Sequence, residues 1–143
     1  MNEKHEAHLA RHYPTLYPKG AGIDTGDGWF RIVDILSRQL EWLNGTGAAR
    51  ITYLGSKEKF GTLRYDVIVE TIADDFPCSI VWTLTEDAES QSGLYCEECG
   101  AFGERREGGW IKTLCDACDR KRKAQYETEA KETTCPMTRT KST

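Results

Sequence analysis

The chain of 143 residues reads as an α+β protein: a small helix-on-antiparallel-sheet core with a treble-clef-like four-cysteine unit at its C-terminal end. Three observations predict this. Trp29, Ile32, Val33, Leu36, Leu40 and Leu43 recur at helical spacing, while Arg31, Asp34, Arg38 and Glu41 fall on the other side. Leu63, Tyr65, Val67 and Val69 alternate with Arg64, Asp66, Ile68 and Glu70, the period of a strand with one buried and one open face. Cys96-Glu97-Glu98-Cys99 and Cys115-Asp116-Ala117-Cys118 form two C-x2-C pairs with fifteen residues between them. The expected division is a core over 1–92, a four-cysteine unit over 93–127 and a disordered tail over 128–143, where Glu, Thr, Lys and Ser replace apolar residues.

Residues 3–12 predict a short polar helix carrying His5, His8 and His12 on one face. Those histidines read either as a second metal site or as the solvated side of a frayed helix. Pro14 and Pro18 break the helix, and Tyr13 and Tyr17 are expected to lie flat on the core. The glycine-rich loop 19–28 has neither a P-loop ending nor a calcium-loop ligand pattern, so Asp27 is read as the cap of the next helix. That helix is expected over 28–43, ended by Asn44-Gly45, with Trp29 in the core. Strands follow at Arg50–Leu54 and Thr62–Glu70, joined by a hairpin-like link from Gly55 to Gly61. Acids followed by Pro77 announce a helix over 76–91, although the β-branched run within Ser79–Thr83 also fits a strand.

Two residues between cysteines let both sulfurs reach one ion from a tight turn, and two such turns supply a tetrahedral thiolate set. One structural Zn2+ held by Cys96, Cys99, Cys115 and Cys118 is the primary expectation, with a disulfide pair or an iron–sulfur cluster as alternatives. Gly100 suits the left-handed turn of a knuckle. Residues 104–113 are expected to form a hairpin turning near Gly108-Gly109, with Trp110 and Leu114 covering the site and a helix from Cys115 onward. Cys78 reads as a buried small hydrophobe and Cys135 as a free thiol.

Net charge is −4, unevenly spread: residues 1–99 carry 9 basic and 16 acidic side chains, residues 100–143 carry 10 and 7. An acidic body argues against broad duplex binding, which rests on neutralising phosphates. No run approaches a membrane span, and the N-terminus lacks the apolar stretch of a signal peptide, so a soluble cytoplasmic protein without a membrane partner is expected. No catalytic constellation stands out. Two basic groups are candidate contacts. Lys57, Lys59 and Arg64 surround the hairpin link and suit a phosphate or an acidic partner, or else protect a strand edge. Arg120, Lys121, Arg122 and Lys123 suit nucleic acid or an acidic protein, or else solvate a helix.

Tyr13-Pro14-Thr15-Leu16-Tyr17, Gly28-Trp29-Phe30-Arg31-Ile32, Lys57-Glu58-Lys59-Phe60-Gly61-Thr62-Leu63-Arg64-Tyr65 and the Cys96–Cys118 unit, with Gly109-Trp110 and Thr113-Leu114-Cys115, together resemble a family of small tailed-phage and prophage proteins. The resemblance spans about residues 13–118 and implies a phage accessory protein in a bacterial cytoplasm, with no catalytic residues to carry over. The expected function is non-enzymatic: binding, and inhibition, of a host protein such as a defence or regulatory factor. The alternatives are a nucleic-acid-binding accessory using the basic helix, and a binder of a nucleotide or other phosphorylated small molecule at the lysine-rich link.

Overall fold

The computed structural model describes residues 1–133. In chain order these form α1 (Glu3–His12), a 3-10 turn (Asp27–Trp29), α2 (Phe30–Gly45), β1 (Ala49–Lys59), β2 (Thr62–Thr71), α3 (Ser79–Ser92), β3 (Glu104–Arg106), β4 (Lys112–Leu114) and α4 (Asp116–Thr133). β1 and β2 pair antiparallel, as do β3 and β4, giving two separate two-stranded sheets. The main core lies where α2 and α3 pack on the β1–β2 hairpin, with Leu9, Leu16 and Ile23 from the N-terminal segment joining it.

The apolar stripe of α2 does what its period predicts: Val33, Leu36, Leu40 and Leu43 are buried. The helix begins two residues later than expected, because Asp27–Trp29 winds as a 3-10 turn that seats Trp29 fully inside the core. Asp27 does not cap α2. Its carboxylate instead accepts the Asn2 amide (2.7 Å) and lies 3.2 Å from His5 Nδ1, tying the start of α1 to the body.

Nor is α1 frayed. Asn2 caps it by accepting the His5 amide, and Leu9 enters the core. The histidine face is docked on α2: His5 stacks on Phe30 with centroids 3.9 Å apart, and His8 Nε2 meets Asp34 Oδ1 at 3.1 Å. Tyr13 donates to the same Asp34 oxygen at 2.7 Å, and Tyr17, whose amide donates to Tyr13 O, is buried as well. Tyr65 OH donates to Tyr17 OH (2.7 Å), which lies 2.6 Å from Ser37 Oγ, and Ser37 donates to Val33 O. The buried hydroxyls thus satisfy one another. Burial pushes the Tyr17 phenol up to about 12, so it stays neutral.

The expected seven-residue link between the strands is shorter. Pairing continues to Lys59↔Thr62, leaving Phe60-Gly61 as a two-residue turn with φ of +55° and +83°. Two consecutive positive φ values match the right-handed twist of the flanking strands. A register shift between Tyr53 and Gly55 marks a bulge at Leu54.

Residues 79–92 are helical, so burial at helical spacing outweighs β-branching: Val81, Ala88 and Ser92 face inward. Cys78, just before this helix, is only half-buried. At the other end, α4 continues through Thr133, past the point where composition predicts order to end. Cys135 lies outside the described residues.

Candidate metal centre

The knuckle begins at Tyr95, which bridges to Phe102. Inside it, Cys96 N donates to Ala101 O (2.7 Å) and Gly100 N donates to Cys96 O (2.8 Å), closing a turn that Gly100 completes at φ +76°. The β3–β4 hairpin then delivers Cys115, and the first turn of α4 delivers Cys118. Knuckle, hairpin and ligand-bearing helix are the parts of a treble clef. All four cysteines are free thiols. Their sulfurs lie within 4.8 Å of one another, with Cys99 and Cys115 Sγ 3.7 Å apart. A tetrahedral zinc with bonds of about 2.3 Å separates its sulfurs by about 3.8 Å, so this donor set fits one Zn2+. Four thiolates would fill the coordination sphere of a bound ion and leave it no open position, as in a structural site.

Among the described residues, no other group of three or more His, Cys, Asp or Glu side chains converges on a point in this way. His5, His8 and His12 are used for stacking and for Asp34.

The thiols differ in their electrostatics. In the metal-free chain the Cys118 amide holds the Cys115 thiol down at about 7, whereas burial and the neighbouring sulfurs push Cys118 up. Zinc must therefore displace protons, and its affinity falls with pH. Asp119, buried in the first turn of α4, accepts from Lys123 (2.8 Å) and Arg122 (2.9 Å), and both cations hold its carboxyl below the usual range. A depressed carboxylate contributes stability that is present above its unfolded value and lost as pH falls through the folded one. Both effects have the same sign. Titrating from pH 8 toward pH 4 is expected to release zinc progressively, read with a chromophoric chelator. Constant zinc content down to pH 4 would contradict it.

The unit is clamped to the body at two places. At the first, Gly28 N donates to Glu97 O (2.7 Å), Gly26 N donates to Glu97 Oε1 (3.3 Å), and Trp29 Nε1 donates to Tyr95 O (2.8 Å). The approach requires glycine: a Cβ on Gly28 would stand 2.1 Å from Cys96 O and 2.4 Å from Gly100 N. One on Gly26 would stand 2.3 Å from Glu97 O. Glu97 is buried, and its desolvation raises its pKa against the opposing pull of Lys112, 3.2 Å away. At the second, Thr113 Oγ1 donates to Gly61 O and Trp110 Nε1 donates to Glu58 Oε2, each at 2.6 Å. Leu114 is buried, whereas Trp110, expected with it over the site, is exposed and turns its indole N–H to Glu58 near the end of β1.

The two basic groups are placed as follows. Lys57 pairs across the ladder with Arg64, and Lys59 follows on the same face. Arg64 is engaged by Glu89 of α3 at 2.5 Å, while Lys57 and Lys59 stay exposed. On α4, Arg122 and Lys123 are held by Asp119, and Arg122 also donates to Trp110 O (3.0 Å). Arg120 and Lys121 are exposed.

Sequence reading missed two features. One is the role of Gly26 and Gly28; their only signal was a glycine-rich loop without a ligand motif. The other is a groove of about 400 Å³ between α2 and α3, floored by Leu36 and Ala88 and walled by Ile32, Ile35, Leu84 and Tyr95. No protein-family model, curated protein or solved structure matches this chain.

Proposed function

We propose that the chain is a non-enzymatic interaction module, a zinc-stapled phage accessory protein that binds and inhibits a host protein in the bacterial cytoplasm. The observation that carries the reading is the exposure of large apolar side chains on a structured surface. Three of the four tryptophans lie outside the core, Trp42 at 69%, Trp110 at 63% and Trp82 at 55% exposure. Aromatic anchors of this kind are what protein partners bury. The α2–α3 groove adds an apolar centre rimmed by Arg31, Gln39, Asp87 and Gln91, the layout of a protein-binding cleft. The phage setting rests on the sequence resemblance.

Both alternatives lose part of their charge to internal pairing. A nucleic-acid contact on α4 retains Arg120 and Lys121 but shares Arg122 and Lys123 with Asp119. A phosphate site at the β1–β2 turn retains Lys57 and Lys59 but shares Arg64 with Glu89.

The test is affinity capture from bacterial lysate with and without nuclease, using the unaltered protein and Ile35→Glu. Ile35 is half out in solvent, so the substitution leaves the fold intact. One host protein retained by the unaltered chain, and held at least about tenfold more weakly by the variant, is the expected result. Retention of nucleic acid that Arg120→Glu with Lys121→Glu abolishes would replace this reading with the basic-helix one.

A further inference from the structure

The tips of the two hairpins face each other across a cleft of about 300 Å³, lined by Lys59 and Phe60 from the β1–β2 turn and by Gly108, Gly109 and Trp110 from the β3–β4 link. Phe60 is the feature that folding does not explain. Among the described residues it alone combines a side chain with positive φ (+55°), in a two-residue turn where asparagine fits and a bulky residue is strained. Burial does not compensate, because Phe60 is 60% exposed. Strained residues of this kind persist where a site uses them. Trp110 is presented beside it on a fixed frame: its indole N–H goes to Glu58 Oε2, and Glu58 Oε1 accepts the Gly61 amide, each at 2.6 Å. One carboxylate therefore positions both the turn and the tryptophan. Lys59 Nζ lies 5.5 Å from the Phe60 ring centroid, and Lys57 follows on the same face. Among the described residues neither lysine forms an ion pair. Lys57 also stands directly across the ladder from Arg64, a like-charge pairing that Glu89 relieves for Arg64 alone.

We propose that this cleft takes one large apolar side chain of the partner protein, from a segment whose flanking residues are acidic. The inference rests on the interaction-module reading above and adds to it where, and with what chemistry, the partner is gripped. The apolar side chain enters between Phe60 and Trp110, and carboxylates beside it reach Lys59 and Lys57. An anchor side chain in an aromatic pocket supplies affinity, and the cations at its rim select the partner by charge. A nucleic-acid strand is the poorer occupant. It needs cations in series along a groove, whereas Arg64 is taken by Glu89 and residues 1–99 are acidic. Phe60 belongs to the body and Trp110 to the metal unit, so the cleft exists only while the unit is folded and docked. Zinc thereby maintains a binding site.

The probe is a blocked peptide with one phenylalanine between pairs of aspartates. It is titrated into the full zinc-loaded, nitrogen-15-labelled chain and followed at the Trp110 indole N–H, assigned by its loss in Trp110→Phe. That signal should shift saturably, and a peptide with lysines in place of the aspartates should bind at least about tenfold more weakly. Lys57→Glu combined with Lys59→Glu should reverse the preference. Phe60→Asn should lose the peptide yet melt no lower than the unaltered chain, because asparagine accepts the left-handed turn. No saturable shift, equal binding of the two peptides, or tighter binding of oligothymidylate than of the acidic peptide would overturn the proposal. So would a Phe60→Asn protein that melts lower, since the ring would then be serving the fold. Capture from lysate fails separately: peptide binding with no host protein retained supports the cleft and contradicts host binding, and a retained host protein with no peptide shift does the reverse.

Discussion

Serine in place of Cys99 or Cys115 is expected to release zinc and unfold the segment from about residue 95 to residue 126, leaving the 28–70 core folded. The unit has little else to hold it. β3 and β4 are three residues each, and among residues 96–129 only Cys96 and Leu114 are buried hydrophobics. Zinc binding in comparably small units supplies about 10–16 kcal/mol, far more than such a core provides. The main body keeps α2, α3 and the long hairpin. Limited proteolysis with metal analysis reads the outcome: cleavage confined to the C-terminal third, with zinc lost. A Cys99→Ser or Cys115→Ser protein with full zinc content would mean that the ligand set is wrong.

Gly28→Ala is the second large effect. One methyl group would overlap Cys96 O, Gly100 N and Cys99 N, all backbone atoms of the knuckle that have no room to yield. Overpacking of this kind costs about 1–3 kcal/mol, and here it also strains the Gly28–Glu97 and Trp29–Tyr95 hydrogen bonds. The expected phenotype separates docking from metal binding. Thermal stability drops, by roughly 4 °C for each kcal/mol lost in a chain of this size, while zinc stays bound. Gly22→Ala, where a Cβ meets nothing within 4 Å, is the matched control. Equal stability of the Gly28 and Gly22 variants would show that the knuckle does not press on the 26–28 loop.

These two predictions also show which parts of the fold the sequence carries openly. Local, periodic signals were legible: the α2 stripe, the alternation of β2 and the cysteine spacing each state a geometry that neighbouring residues enforce. Contacts between distant segments were not. Nothing near Asp27 announces that its carboxylate holds Asn2, and nothing near Trp110 announces Glu58, because those pairings are 25 and 52 residues apart in sequence. The β-branched run at 79–83 was ambiguous for the same reason: its helical state is decided by which residues the core takes up. Several short motifs that are far apart in sequence converge in space. Gly28-Trp29, Phe60-Gly61, Gly109-Trp110 and Thr113-Leu114-Cys115 all lie at the two clamps between body and metal unit. Their shared role is to seat the knuckle, which no single motif reveals.

X-ray absorption at the zinc edge on the purified chain tests the metal assignment most directly. Four sulfur scatterers at about 2.3 Å, with no nitrogen or oxygen shell, are expected for a closed structural site. A mixed shell with light-atom ligands, or an iron edge with metal–metal scattering in its place, would contradict the account of a sealed staple and reopen the centre as a place where chemistry occurs.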